Sequence, residues 1–321
     1  MTAPPFAEDL VLGRPLAAAP DVTIDAGIAA VYASITGDGL RPALSATAAR
    51  ALTGRAEPLV NPALVLAVSI GQSTVATRRV IANLQYRGVV LAEPVHHGDT
   101  LRTVVTPLAA DWTRSGRDRA KVLLGMHLTR GDDVIAEYER LALLPVAEPD
   151  RLEPTGIPDA EADRPLAGFA DAVPLGWSSP LGTASIAAGD EWEDPLSDTV
   201  SSARELVRLT HNLAAAHRDD RAGLDGRRLV YGGHTIGLAQ ASLSRTIPDL
   251  LSVPGWRSCD HLAPVFEDDL LSVRTSIRDV LEVRGFRIVD ATVGVTAHRP
   301  GQEPVAVLDW RPVLVLSGAP S

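Results

Sequence analysis

The chain carries the same short pattern twice, and this duplication constrains its fold more than any single motif. LAEPVHHGDTLRTVVTPL runs from Leu91 and LAPVFEDDLLSVRTSIRDV from Leu262. Aligning Pro94 with Pro264 also matches Val95 with Val265, Asp99 with Asp269 and Leu101 with Leu271. Each copy reads as an apolar residue, a Pro, an acidic or Gly turn, and then an alternating strand. A second pair lies upstream. AAVYASITGD ends at Asp38 and ARELVRLTHN ends at Asn212, both with helical spacing and both stopping at a Thr-x-Asp/Asn cluster. Two copies of helix-then-strand demand two similar units.

The length of 321 residues suits two domains of about 150 residues, each able to bury its own core. The stretch VAEPDRLEPTGIPDAEADRPLAG at 146–168 is rich in Pro and acids and has no apolar period. We therefore expect a first domain at 1–147, a linker at 148–168 and a second domain at 169–321. Strands are expected late in each half: RTVVTPLAADW, AKVLLGMHLTRG and VIAEYERLALLPV, then LLSVRTSIRDVLEV, FRIVDATVGVTAH and VAVLDWRPVLVL. Helices are expected at 25–36, 44–53, 62–74, 199–211 and 233–245. Helices early and antiparallel strands late give an α+β class in each half. A central helix wrapped by a curved antiparallel sheet satisfies this layout.

Composition removes several functions. The formal net charge is −10 and no basic run is present, against a protein that tracks nucleic acid. No apolar run approaches the ~18–20 residues of a membrane helix, and MTAPPFAEDLVLG lacks the regions of a signal peptide. A cytoplasmic location, with no membrane or nucleic-acid partner, is the expectation. The single cysteine, Cys259, allows no intrachain disulfide and reads as buried packing. No CxxC, HExxH, GxGxxG or P-loop occurs, and GHTIG does not satisfy the GxSxG elbow, so no metal and no nucleotide cofactor are expected. His96 and His97 read as solvated residues of a turn.

The chemistry concentrates at 204–240. Thr210, His211 and Asn212 form a polar cluster, His217 follows, and a Tyr231-Gly232-Gly233-His234 turn opens a small-residue helix. A helix N-terminus offers free N–H groups to a developing oxyanion, and glycines allow close approach. Imidazole titrates near neutrality and suits acid–base work, the first reading of His217; the other is a solvated loop histidine beside Arg218, Asp219 and Asp220. Asn212 is readable as a helix cap or as an amide that orients a ligand. Tyr231 either bonds a ligand or packs, and His234 either touches a ligand or caps the helix. Asp38 in Gly37-Asp38-Gly39 is a pocket carboxylate or a capping Asp. Arg227 and Arg228 are rim candidates for an anionic ligand, or ordinary surface arginines.

This stretch resembles the MaoC-type hydratase/dehydratase family of the hotdog fold. The family's signature, similar to Thr/Ser-Gly-Asp-x-Asn-Pro-Leu-His, is met here by Thr210-His211-Asn212-Leu213-Ala214-Ala215-Ala216-His217. GRRLVYGGHTIGLAQA stands where the family opens its central helix. The first half fits from EDLVLGRPL through YASITGDGLRPALS to LAEPVHHGDTL, so nearly the whole chain resembles the tandem double hotdogs, of the β-methylmalyl-CoA dehydratase or mesaconyl-CoA hydratase type. The departures are Asn212 in place of the usual Asp, and Ala214-Ala215 in place of Asn-Pro. The first half keeps Gly37-Asp38 but no histidine follows.

The resemblance implies reversible hydration of an enoyl-CoA thioester, of a short branched or dicarboxylic acyl group such as mesaconyl-CoA. It assigns catalysis to Asn212, His217 and Gly233, and substrate contacts to Tyr231, Gly232, His234, Arg227, Arg228 and Asp38. The second half would be catalytic and the first would help form the acyl pocket. No cofactor is implied beyond the CoA thioester as substrate. An acyl-CoA-binding hotdog without turnover, or a thioesterase, are the alternatives. Monomer and homodimer both stay open.

Overall fold

Where the alternation is cleanest, the strands begin and end as the pattern predicts. The computed structural model describes residues 3–160, 164–180 and 182–318. The first half supplies β1 (Val22–Thr23), β2 (Ala82–Val90), β3 (Thr100–Thr113), β4 (Gly116–Arg130) and β5 (Asp133–Pro145). The second supplies β6 (Glu191–Glu193), β7 (Asp198–Thr199), β8 (Leu250–His261), β9 (Leu270–Val283), β10 (Phe286–His298) and β11 (Val305–Leu316). The helices are α1 (Ala26–Thr36), α2 (Arg41–Leu44), α3 (Ala46–Thr53), α4 (Pro62–Ser73), α5 (Ala203–Leu209) and α6 (Gly232–Thr246).

The strands form one sheet in the order β1-β3-β4-β5-β2-β8-β11-β10-β9-β6, with β7 also on β9. Each half has the same internal order, and the halves join where β2 meets β8. That antiparallel seam pairs Tyr86 with Cys259, Arg87 with Ser258 and Val89 with Trp256. The two halves are thus two hotdogs sharing one sheet.

A central helix belongs to each half. All twelve residues of α4 are buried, which a helix achieves only inside a core. Asn61 starts it by accepting from the Ala63 N–H, with Pro62 in the first turn where its missing N–H costs nothing. Its polar residues are matched: Ser69 Oγ bonds Tyr138 Oη at 2.8 Å, and Gln72 Nε2 donates to Leu101 O at 3.0 Å. Residues Gly233–Leu243 of α6 are buried throughout.

The helix preceding each motif docks on the other half's central helix. After α1, Asp38 accepts hydrogen bonds from Gln240 Nε2 (2.7 Å) and Ser244 Oγ on α6. After α5, the Leu213 N–H donates to Thr74 Oγ1 at 2.8 Å, just beyond α4. The second contact depends on a missing side chain. A Cβ on Gly71 would lie 2.0 Å from the Thr210 carbonyl oxygen. Since that neighbour is backbone, Gly71→Ala is expected to destabilise by about 1–3 kcal/mol through overpacking, despite alanine's better helix propensity. Urea titration checks this; a stability gain would show that the loop yields freely.

Several expectations need correction. The helix expected at 199–211 is only Ala203–Leu209, because Ser202 and His211 both have positive φ (59° and 53°). The central helix expected from 233 begins at Gly232. Strands β2 and β8 were not expected. His96, read as solvated, is buried and holds Glu57 O at 3.2 Å. The acidic stretch near 146–168 is not free of the body. Arg87 Nη1 donates to Pro158 O, and the buried Leu166 and Phe169 pack with Val313 and Val315 on the face of β11 opposite Leu314 and Leu316.

Candidate active site

The end of α5 aims Asn212 inward. The His211 N–H bonds Arg208 O (3.2 Å) and the Asn212 N–H bonds Val207 O (3.0 Å), the pair of bonds that closes a helix through a left-handed residue. His211 is that residue and is exposed. It shapes the turn and leaves the site, contrary to its place in the expected polar cluster. Asn212 is 1% exposed. Its Oδ1 accepts from the Ala214 N–H at 2.9 Å, while Nδ2 is buried with no partner. One donor is therefore left for a ligand.

His217 closes a short turn clipped to the chain before α6. Its Nδ1 lies 2.9 Å from Leu229 O. A carbonyl can only accept, so Nδ1 carries the hydrogen and Nε2 keeps a lone pair. Burial above all pushes its pKa down to about 4, against the Leu229 hydrogen bond and with help from the charge of Arg140. The ring is neutral at pH 7 and presents a base. It also lines a cleft of about 270 Å³. Arg227 and Arg228 line the same cleft, Arg227 stacked 4.0 Å over the Phe266 ring and Arg228 3.4 Å from Asp220. Both rim candidates thus share an opening with His217.

α6 starts at Gly232, three residues after the Leu229 that His217 holds. Among the described residues, no acceptor is found for the N–H groups of Gly232 and Gly233, while the His234 N–H is used by Tyr231 O. The corresponding start of α4 offers nothing similar: Pro62 has no N–H and that of Ala63 is held by Asn61. Of the two central helices, only α6 starts with a pair of N–H groups that no described residue accepts. Gly232 is required by its neighbour, because a Cβ there would lie 2.5 Å from His261 Cε1.

Other expected contacts are placed differently. Tyr231 Oη donates to Ala67 O on α4 at 2.7 Å, and its ring stands 5.8 Å from that of His217. Its hydroxyl is committed, so it serves as a wall rather than a ligand donor. His234 is fully buried, and neither ring nitrogen has a partner. It neither caps the helix nor lines the cleft. Asp38 accepts from Leu40, Asn61, Gln240 and Ser244, none of them in the Asn212–His217 group. It completes the companion position of the first half and does not supply the carboxylate missing at Asn212. Cys259 is fully buried and its thiol pKa is raised by burial, which suits packing and not nucleophilic attack.

Two site residues were missed in the sequence. His261 ends β8, presses on Gly232, and stands 6.0 Å from the Tyr86 ring. Burial first, then Arg140 and His217, lower its pKa to about 4. Arg140 on β5 lies opposite Tyr86 on the same inner face.

A continuous antiparallel sheet over two central helices, one per half, defines a double hotdog. No family model matches the chain. RV0216 of Mycobacterium tuberculosis, a conserved hypothetical protein with a double hotdog fold, aligns at 36% identity and a TM-score of 0.82, over 97% of this chain and 98% of that one. A putative MaoC domain protein dehydratase from Chloroflexus aurantiacus shares the fold at 23% identity and a TM-score of 0.87, over 98% of this chain and 97% of that one. Among characterised sequences, the β-methylmalyl-CoA dehydratase of C. aurantiacus is 26% identical over 87% of this chain and 84% of its own length. The mesaconyl-CoA hydratase of Cereibacter sphaeroides is 25% identical over 93% and 90%. The chain belongs to the MaoC-like family of double hotdog proteins.

Proposed function

We propose that the protein reversibly hydrates an enoyl-CoA to a 3-hydroxyacyl-CoA, on a short branched or dicarboxylic acyl group such as mesaconyl. The observation that carries this reading is that the second half holds both a neutral imidazole whose Nε2 keeps its lone pair and a central helix whose first two N–H groups have no acceptor among the described residues. The similarity to two relatives named for CoA-ester dehydration and hydration supports it.

Addition of water to the alkene places negative charge on the thioester oxygen as an enolate. The Gly232 and Gly233 amides receive that charge. His217 Nε2 takes the proton from water as the oxygen bonds the β-carbon, and the imidazolium can return a proton to the α-carbon. The Asn212 Nδ2 donor holds the water oxygen and turns its protons toward the histidine. An amide can orient in this way where it cannot accept a proton at neutral pH, so the imidazole does the proton transfer alone. No electrons are exchanged, and no redox cofactor enters.

The test is a panel of enoyl-CoA thioesters followed by loss of the enoyl-thioester absorbance, with free thiol measured in parallel. We expect absorbance loss without thiol release. Thiol release from a saturated acyl-CoA would instead indicate a thioesterase. Tight binding without hydration of any substrate would indicate an acyl-CoA-binding hotdog, the outcome that the amide at Asn212 would then explain.

A further inference from the structure

Arg140 is 3% exposed, as buried as any arginine among the described residues. Its neighbours in burial each have an acid: Arg287 pairs with Asp249 (3.5 Å), Arg257 with Asp290 (2.7 Å) and Arg299 with Asp269 (2.7 Å). Arg140 has none among the described residues. Nε donates to Asn83 Oδ1 (2.6 Å), and Nη1 to Ser73 Oγ (2.9 Å) and Thr77 Oγ1 (3.2 Å), all neutral. The two N–H groups of Nη2 find no acceptor among the described residues. A buried cation without a counter-ion is costly unless something neutralises it in use.

Its position says what that something is. Arg140 faces Tyr86 across the β5–β2 pair, and Tyr86 contacts the His261 that presses on Gly232. The guanidinium also bonds Ser73 and Thr77, which flank the Thr74 that holds Leu213 next to Asn212, so it stands beside the site. The cleft with Arg227 and Arg228 opens instead at His217. Its charge is felt by the site, since it helps keep His217 and His261 neutral. The CoA phosphates would be held at the mouth, so the anion for Arg140 must belong to the acyl group itself.

We propose that Arg140 is a specificity-determining residue that receives a carboxylate at the far end of the acyl chain through its Nη2 edge. This inference rests on the acyl-thioester reading above. Asn83, Ser73 and Thr77 hold the guanidinium in place and leave the two N–H groups of Nη2 for charge-assisted hydrogen bonds to a ligand oxygen.

The experiment compares mesaconyl-CoA with tiglyl-CoA, which has the same branched skeleton and a methyl group in place of the carboxylate. We expect the wild type to favour mesaconyl-CoA in kcat/KM by about 10²-fold, the scale of a hydrogen bond to a charged group. Arg140→Gln should erase that preference, lowering kcat/KM for mesaconyl-CoA by about 10²-fold more than for tiglyl-CoA. Arg140→Lys, which keeps the charge but not the planar guanidinium, should restore part of it. A purely structural role would lower both substrates together. Equal use of both by the wild type, or an unchanged ratio in Arg140→Gln, overturns the proposal. If Arg140→Gln does not fold, the wild-type and Arg140→Lys ratios decide. If neither thioester is hydrated, the hydratase reading fails, and calorimetric binding of the two takes over. Preferential binding of the carboxylate form, lost in the variants, keeps the Arg140 assignment, and equal binding removes it.

Discussion

Replacing His217 with alanine is expected to lower kcat/KM for enoyl-CoA hydration by about 10²–10⁴-fold, the range of a lost general base. The size follows from its isolation. Asn212 stands where a carboxylate would share the work, and Asp38 is spent on four donors elsewhere. Because His217 also clips Leu229, His217→Asn is the sharper variant: its amide can still donate to that carbonyl but cannot take a proton. Both variants should lose activity alike. If His217→Asn keeps wild-type turnover, the residue is a clip and not a base. The pH profile gives a second check. An ordinary histidine would put an acidic limb near pH 6.5. With its pKa at about 4, His217 stays unprotonated and the chemical step should be level from pH 6 to pH 8. A limb centred near 6.5 would contradict a buried neutral base.

The fold was readable where local pattern and global structure agree. β9, β10 and β11 read as strand-length apolar or alternating runs, and their limits match the strings read from the sequence. β2 and β8 were invisible for a physical reason. Gly88 in β2 and Pro254-Gly255 in β8 break the strand signal, and Asn83, Tyr86 and His261 put polar atoms where an apolar period was sought. Those polar side chains face the site, so the pattern fails where function has displaced packing. The same holds for Arg140. In VIAEYERLALLPV a charged residue reads as solvated, yet β5 turns Tyr138, Arg140 and Ala142 inward together. Asn212, His217 and the Gly232-Gly233 turn were legible because they lie close along the chain at a family's spacing. Their partners come from other strands, and only the register across the β2–β8 seam brings them in.

The fold is also expected to lose stability steeply in mild acid, because it buries imidazoles that cannot be protonated in place. His234 is the cleanest case: it is fully buried, has no partner at either ring nitrogen, and burial alone lowers its pKa to about 4. Unfolded, it titrates near 6.5. Between those values the unfolded chain binds a proton that the folded one refuses, so stability falls as pH drops through that window. It is unaffected above the window and falls no further below it. For His234 the loss is about 2 kcal/mol by pH 5 and about 3 kcal/mol by pH 4. His217 and His261, also lowered to about 4, add in the same direction. His234 can be removed without touching the site. Val60 and Val230 occupy matching places before the two central helices, donating to Val95 O and Val265 O, which sets His234 against the buried Leu64. His234→Leu should therefore be at least as stable as the wild type at pH 7, since it deletes two unpartnered polar atoms. Between pH 7 and pH 5, urea denaturation should show the variant losing about 2 kcal/mol less than the wild type. Identical losses in the two proteins would mean that His234 is protonated in the fold or hydrated there, and acid sensitivity would then have to come from the site histidines alone.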